Sequence, residues 1–221
     1  MLRPLLLALR NYPRRAPVTF GYLCLLLLTH LLVEQVLPSA RAAALLQYVS
    51  TNLHNLGDHP VAALLGSALF FDGTLTDVLS LGFVGTTITL GLGIGWCLAR
   101  LETRRGARTA FGAFLTGHVV ATLLTAGVIQ LALRHGWYSP DVRHTLDYGI
   151  SYGSQTVMAL ATATLPRRAR LPWAAFVLLW PFGGLDWSGP LPDFTTVGHL
   201  FAALLGFALI LVPSADRSSG D

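Results

Sequence analysis

The sequence contains no lysine and few charged residues of any kind. Its 15 basic residues are all arginines, and charged residues make up 12% of the 221 positions. Globular domains are nearer a quarter charged, so this composition excludes an ordinary water-soluble domain and indicates a protein of the lipid bilayer. The net charge of +4 does not indicate a nucleic-acid partner, because the arginines lie in short connections between apolar runs.

Cysteine is equally scarce. The two cysteines, Cys24 and Cys97, lie within apolar runs and have the spacing of neither a disulfide framework nor a set of metal ligands. We interpret both as small buried apolar residues. His54, Asp58 and His59 have a loose metal-ligand spacing without a further fixed ligand, which favours a solvated or capping role. The sequence therefore predicts neither a metal nor another cofactor.

Long apolar runs are what the sequence does have, and 53% of its residues are hydrophobic. A helix needs about 20 apolar residues to cross roughly 30 Å of hydrocarbon. Six runs predict an all-α membrane protein with six transmembrane helices, at about residues 18–37, 78–98, 109–133, 148–165, 171–180 and 195–212. The additional run at residues 61–71 is too short to span, which indicates a half-buried or interfacial segment.

The distribution of arginine predicts the orientation of these helices. If the chain starts in the cytoplasm, 12 of the 15 arginines fall in cytoplasmic segments, as the positive-inside rule requires. We therefore expect both termini in the cytoplasm. Residues 1–17 are predicted to be an amphipathic cytoplasmic segment, residues 18–213 the six-helix membrane domain, and residues 214–221 a cytoplasmic tail.

A serine and a histidine lie near the starts of two apolar runs. Ser151 opens the fourth run within DYGISYG (residues 147–153), and His199 follows a glycine in the sixth. Ser151 precedes Pro166 by 15 residues and His199 precedes Pro213 by 14. At about 1.5 Å per residue, both lie roughly 20 Å above the cytoplasmic ends of their helices. Histidine is the usual base for a serine nucleophile, so a catalytic pair is one interpretation. Two unrelated structural hydrogen bonds are the other.

Small residues predict that these two helices pack closely. Gly149 and Gly153 are four positions apart in the fourth run, as are Gly198, Ala202 and Gly206 in the sixth. Helix backbones approach each other closely in lipid through such faces. We therefore expect the two faces to meet and to bring the serine within reach of the histidine.

Other polar and aromatic residues are assigned structural roles. His118, deep in the third run, is expected to form an interhelical hydrogen bond. Asp147 is expected to cap the fourth helix, with orientation of His144 as the alternative. Four aromatic residues near predicted interfaces are interpreted as membrane anchors, namely Trp137, Tyr138, Trp180 and Trp187.

The six runs, DYGISYG and GHLFAALLG (residues 198–206) together resemble the rhomboid family of intramembrane serine proteases, which use a Ser-His dyad. LETRRG (residues 101–106) is similar to the family's Glu-Arg-x-x-Gly turn, and LGSALF (residues 65–70) to its lead-in to the second span. The resemblance covers about residues 18–213. It implies that Ser151 is the nucleophile and His199 the general base. It also implies that Gly149 and the Ser151 amide lie where the oxyanion is held, with Tyr152 and Gly153 in support.

The sequence departs from the family pattern at two places. Rhomboids usually have Gly-x-Ser-Gly, whereas here Tyr152 follows the serine and the glycine comes one position late. The family's His-x-x-x-Asn pattern in the second span, which helps to stabilise the oxyanion, is not found. Two alignments place other residues there, either Asp77 with Leu81 or Thr86 with Leu90. Loss of an oxyanion donor costs about 10²–10³ in rate.

The resemblance implies a multi-pass protease of a bacterial plasma membrane that cleaves membrane-anchored protein substrates near the outer face. The alternative is a catalytically inactive relative that binds membrane clients. A small transporter, from a third class, would need a polar site at the midplane and two related halves, and the sequence indicates neither.

Overall fold

The computed structural model describes residues 10–184, 187 and 190–211, and every regular element within them is helical. The predicted tail and the first nine residues of the amphipathic segment lie outside this part of the chain. The helices are α1 (Pro17–Val36), α2 (Ser39–Val49), α3 (Leu53–Asp58), α4 (Pro60–Ser67), α5 (Leu81–Arg105), α6 (Ala107–Arg134), α7 (Ser151–Ala161), α8 (Arg167–Leu179) and α9 (Phe194–Leu211). Short 3₁₀ turns cover Pro140–His144, Thr162–Thr164 and Trp180–Gly184.

Four helices, α1, α5, α6 and α9, are long and apolar enough to cross a membrane. They coincide with the first, second, third and sixth predicted spans, so the prediction of an all-α membrane protein is confirmed. α7 and α8 have 11 and 13 residues, fewer than the roughly 20 that an α-helix needs to cross. That these two helices also cross, and on which side the termini lie, stays a prediction.

α7 lies at the centre of the bundle, and every residue after its first is buried. Three neighbouring helices approach it through glycines. A Cβ at Gly93 of α5 would overlap the side chain of Ser154, and Cβ atoms at Gly117 of α6 and Gly206 of α9 would overlap Thr156. Packing on several sides stabilises a helix that is too short to be stable alone.

Polar side chains of α7 tie it to these neighbours. The Ser154 hydroxyl donates to the Thr89 carbonyl of α5, and the Thr156 hydroxyl donates to the Ala202 carbonyl of α9, both at 3.0 Å. Buried polar groups need such partners, since no water is at hand to replace them. The hydroxyls of α7 therefore fix its position between α5 and α9.

The connection between α1 and α5 contains α2, α3 and α4. α4 is half-buried, with Ala63 fully covered and Val61 69% exposed, as expected for a segment that does not span. At its end, His118 Nε2 of α6 lies 3.0 Å from the Ser67 hydroxyl and 3.1 Å from the Leu64 carbonyl. The predicted interhelical hydrogen bond of His118 is confirmed.

Glu102, in the LETRRG segment, caps α1 from the end of α5. Its carboxylate accepts hydrogen bonds from the backbone N–H groups of Val18 and Thr19, at 3.0 and 2.8 Å, and from the Thr19 hydroxyl at 2.6 Å. The first N–H groups of an α-helix have no intrahelical acceptor, so this carboxylate supplies one.

The two cysteines have different environments. Cys97 in α5 is buried, as predicted, whereas Cys24 in α1 is exposed. The prediction for Cys24 was wrong because α1 lies at the edge of the bundle. Between Pro17 and Leu31, the buried residues of this helix are Thr19 and Leu26.

Candidate active site

A cavity of about 330 Å³ brings Ser151 and His199 together. It lies where the start of α7 meets the first turns of α9 and the connection before α5. Asp72, Thr89 and Asp147 also line it. A second cavity of about 360 Å³, between α5 and the turn after α8, shares His199 with the first. The histidine is thus reached from two sides.

Ser151 is positioned by a glycine turn. Gly149 has φ +124°, a conformation that residues with side chains rarely adopt. A Cβ at this glycine would lie 3.4 Å from the Asp72 nitrogen and 3.5 Å from the Phe71 Cα, so the turn packs against the connection before α5. Ser151 is the first residue of α7, and the helical hydrogen bonds begin with the Ser154 N–H. The Ser151 N–H therefore has no intrahelical acceptor.

His199 is held in one tautomer by its own helix. Its Nδ1 lies 2.7 Å from the Thr195 carbonyl oxygen, one turn earlier in α9. A carbonyl can only accept, so Nδ1 carries the proton and Nε2 presents a lone pair. Nε2 is buried and has no hydrogen-bond partner, the Ser151 hydroxyl included. The imidazole thus lines the same cavity as Ser151, and its buried Nε2 keeps an unshared lone pair.

Two aromatic rings enclose the imidazole. Tyr152 and Trp180 each meet it edge to face, with ring centroids 5.1 and 5.4 Å from that of His199. Gly198 permits this arrangement, because a Cβ there would overlap the Tyr152 ring. The interpretation of Trp180 as a membrane anchor was wrong, since its ring packs on His199 and its indole N–H donates to Gln155.

The other predicted anchors differ among themselves. Tyr138 is buried, and its hydroxyl donates to the Pro192 carbonyl, so it is not an interfacial side chain. Trp137 stacks on His135 and is 38% exposed, and Trp187 is 58% exposed. Because these two tryptophans are exposed, their role as membrane anchors stays a prediction.

The small-residue face predicted for α9 is confirmed, and the one predicted for α7 is not. Gly198 and Gly206 of α9 pack directly on α7. Gly153 instead accommodates the Phe114 ring of α6, and Gly149 faces the connection before α5. Among the three residues expected to support the oxyanion, Tyr152 lines the cavity while both glycines lie outside its lining. The periodicity located small residues correctly but could not show which neighbour each one faces.

Asp147 pairs with the connection between α1 and α5 instead of capping α7. The helix is preceded by Ile150, and no side chain caps it. The Asp147 carbonyl accepts from the Thr51 N–H at 2.6 Å, and this pairing holds the residue away from the helix start. Burial raises the pKa of the Asp147 carboxyl from 3.8 to about 6, against the opposing effect of the Thr51 and Tyr152 hydroxyls.

The histidines in the connections before α5 and α7 contact neighbouring side chains. His54 Nε2 lies 3.4 Å from Asp58 Oδ2, and the His54 ring contacts that of His144, with centroids 5.2 Å apart. His59 stacks on Tyr48. Among the described residues, no group of three or more histidine, cysteine or acidic side chains is arranged to hold a metal ion.

Three residues at the site were not found by sequence reasoning. Thr89 of α5 and Asp72 of the preceding connection line the cavity, whereas none of the four positions aligned with the family's His-x-x-x-Asn does so. Gln155 lies one turn after Ser151 and is fully buried. An amide within an apolar run was a visible signal for Gln155, because such a group must find partners when buried.

Comparison with known proteins places the whole bundle in one family. The family described as rhomboid-like protein matches residues 11–218, which is nearly the entire chain. No curated protein and no solved structure shows significant similarity to the chain. The resemblance inferred from DYGISYG and GHLFAALLG is confirmed at the level of the family.

Proposed function

The chain belongs to the rhomboid-like protein family, and we propose that it is an intramembrane serine protease. It would cleave membrane-anchored protein substrates near the outer face of a bacterial plasma membrane. The observation that carries the proposal is the tautomer of His199. Its proton lies on Nδ1, bonded to the Thr195 carbonyl, and its buried Nε2 is without a partner, in a residue that lines the same cavity as Ser151.

In the proposed reaction, His199 Nε2 removes the proton from Ser151 Oγ as Oγ bonds to the carbonyl carbon of the scissile peptide. The resulting oxyanion lies near the start of α7, where the Ser151 N–H has no intrahelical acceptor and the helix dipole favours negative charge. Collapse breaks the C–N bond, and the amine leaves with the proton from Nε2. Water, deprotonated in turn by His199, then hydrolyses the acyl-enzyme.

A catalytically inactive protein that binds membrane clients is the second candidate. Three observations favour it. The bulky Tyr152 directly follows Ser151, where the family usually has glycine, and no histidine or asparagine from α5 lines the cavity to supply a side-chain oxyanion donor. In addition, Ser151 and His199 are not hydrogen-bonded to each other.

A fluorophosphonate probe distinguishes the two candidates, because it labels a serine that a base has activated. The measurement uses purified protein in detergent and compares the wild type with Ser151→Ala and His199→Ala. Ser154→Ala is the matched control, since Ser154 lies one turn further along α7 and bonds to Thr89. We expect labelling of the wild type and the control, and none of Ser151→Ala or His199→Ala.

The result opposed to proteolysis is equally definite. Folded wild-type protein that takes no label, with a cellular phenotype that Ser151→Ala leaves intact, would overturn the protease proposal in favour of the client-binding candidate. Labelling that survives Ser151→Ala would place the reactive group elsewhere.

A further inference from the structure

Gln155 makes two hydrogen bonds across the bundle and is fully buried. Its side-chain nitrogen Nε2 donates to the Val177 carbonyl near the end of α8. Its oxygen Oε1 accepts from the indole N–H of Trp180 at 2.7 Å. One side chain of the central helix thus holds the end of α8 at two points.

The sequence of α8 explains why this carbonyl needs a partner. In an α-helix, the Val177 carbonyl would accept from the N–H of the residue four positions later. That residue is Pro181, which has no N–H. The preceding bond, from the Trp180 N–H to the Phe176 carbonyl, is in place, so the helix ladder stops at the proline. Gln155, which is fully buried, supplies the missing donor.

The same amide fixes the ring that packs on His199. The Trp180 indole is anchored through its N–H to Gln155, and its ring meets the imidazole at 5.4 Å between centroids. The other restraints on His199 come from the Tyr152 ring and from the Thr195 carbonyl. Removing the Gln155 amide would free Trp180 and leave the imidazole less restrained.

We infer that Gln155 is a positioning residue, which acts through Trp180 to hold His199 in the orientation that accepts the Ser151 proton. This inference rests on the proposed function for its catalytic consequence. It concerns the placement of the ring, so it also predicts a property of His199 that is measurable without activity.

The test compares Gln155→Leu and Trp180→Phe, which break the same hydrogen bond from its two ends. Trp173→Phe is the matched control. Trp173 lies in α8, two turns before Trp180, and it also donates its indole N–H to α7, at 2.9 Å to the Met158 carbonyl. The control loses an equivalent hydrogen bond without changing the Tyr152 and Trp180 rings that pack on His199.

Two quantities are measured on full-length protein in detergent. The first is the rate of fluorophosphonate labelling, which we expect to fall by about tenfold or more in both test variants, since small misplacements of catalytic groups have such effects. The second is the ¹⁵N spectrum of the His199 ring, assigned by its loss in His199→Gln. We expect one protonated and one unprotonated nitrogen in the wild type and exchange-averaged signals in the test variants.

The double variant should label no more slowly than the slower single variant, because both changes remove one interaction. The inference is overturned if the test variants keep the wild-type ¹⁵N signals, or if Trp173→Phe alters them equally. Should the wild type take no label, the protease proposal fails, and the ¹⁵N comparison still decides the role of Gln155. If Gln155→Leu does not fold, Trp180→Phe provides both measurements.

Discussion

Asp147 shows how strongly the environment of a single residue departs from what its type suggests. Burial raises its carboxyl pKa from 3.8 to about 6, so the folded protein favours the protonated form. The corresponding stability is present below pH 3.8 and is lost as the pH rises through about 6. Because Asp147 lines the cavity and its pKa is raised to about 6, the charge of the cavity lining changes in mildly acidic solution.

Asp147→Asn, which mimics the protonated carboxyl, should therefore stabilise the protein above its folded-state pKa. The gain at neutral pH is at most roughly 3 kcal/mol, at about 1.4 kcal/mol per pKa unit, and it should vanish near pH 4. Thermal unfolding in detergent across this range measures it. The matched control is Asp141→Asn, the same substitution at an exposed aspartate in the turn Pro140–His144. An equal gain at both ends of the range would contradict the raised pKa.

At the scale of elements, the sequence predicted the helices better than their contacts. Uninterrupted apolar runs located α1, α5, α6 and α9, because a bilayer demands helices of a fixed length. The sequence also located α7, but it did not show which neighbouring helix each face of α7 contacts. Its consecutive polar residues Ser154, Gln155 and Thr156 bond to α5, to the end of α8 and to α9, respectively. Which helix each residue bonds to depends on the order of the helices around α7, and the periodicity of the sequence does not show that order.

The start of α1 depends on a residue 84 positions away, since Glu102 accepts from Val18 and Thr19. Glu102→Ala would leave three donors without their acceptor and should lower stability by several kcal/mol, at about 1–3 kcal/mol for each buried group. Glu102→Gln keeps one acceptor oxygen and should cost less. Thermal unfolding orders the variants, with the exposed Arg105→Ala as a neutral control. Equal loss in the Ala and Gln variants would contradict a capping role.

The end of α8 permits a separation of the two bonds of Gln155. In the Gln155→Leu background, Pro181→Ala gives the Val177 carbonyl a possible backbone donor, which should restore about 1–3 kcal/mol of stability. Trp180 still lacks its acceptor, so fluorophosphonate labelling should remain slow. Pro172→Ala, at the proline within α8, is the control and should restore neither stability nor labelling. Recovery of labelling by Pro181→Ala would show that the carbonyl, not Trp180, matters for His199.

For the whole molecule, the candidate site is a consequence of how closely α9 approaches α7. The glycines of GHLFAALLG made this approach predictable from the sequence, because a face without side chains lets two backbones meet. The enclosure of His199 by Tyr152 and Trp180 was not predictable in the same way. It combines the first turns of α7 and α9 with the residue that follows α8, and no local pattern relates these three segments.

Gly206→Ala tests this dependence directly. The added methyl would overlap the Thr156 carbonyl, a backbone atom that cannot rotate away, so α9 must move as a unit and carry His199 with it. We expect a loss of about 1–3 kcal/mol, as for other overpacked cores, together with slower labelling of Ser151.

Gly127→Ala in α6, where a methyl meets nothing within 4 Å, is the matched control. It should retain stability and labelling, since alanine favours helix. If Gly206→Ala behaved like this control, the position of His199 would not depend on contact between α9 and α7. The Tyr152 and Trp180 rings and the Thr195 carbonyl would then be its restraints.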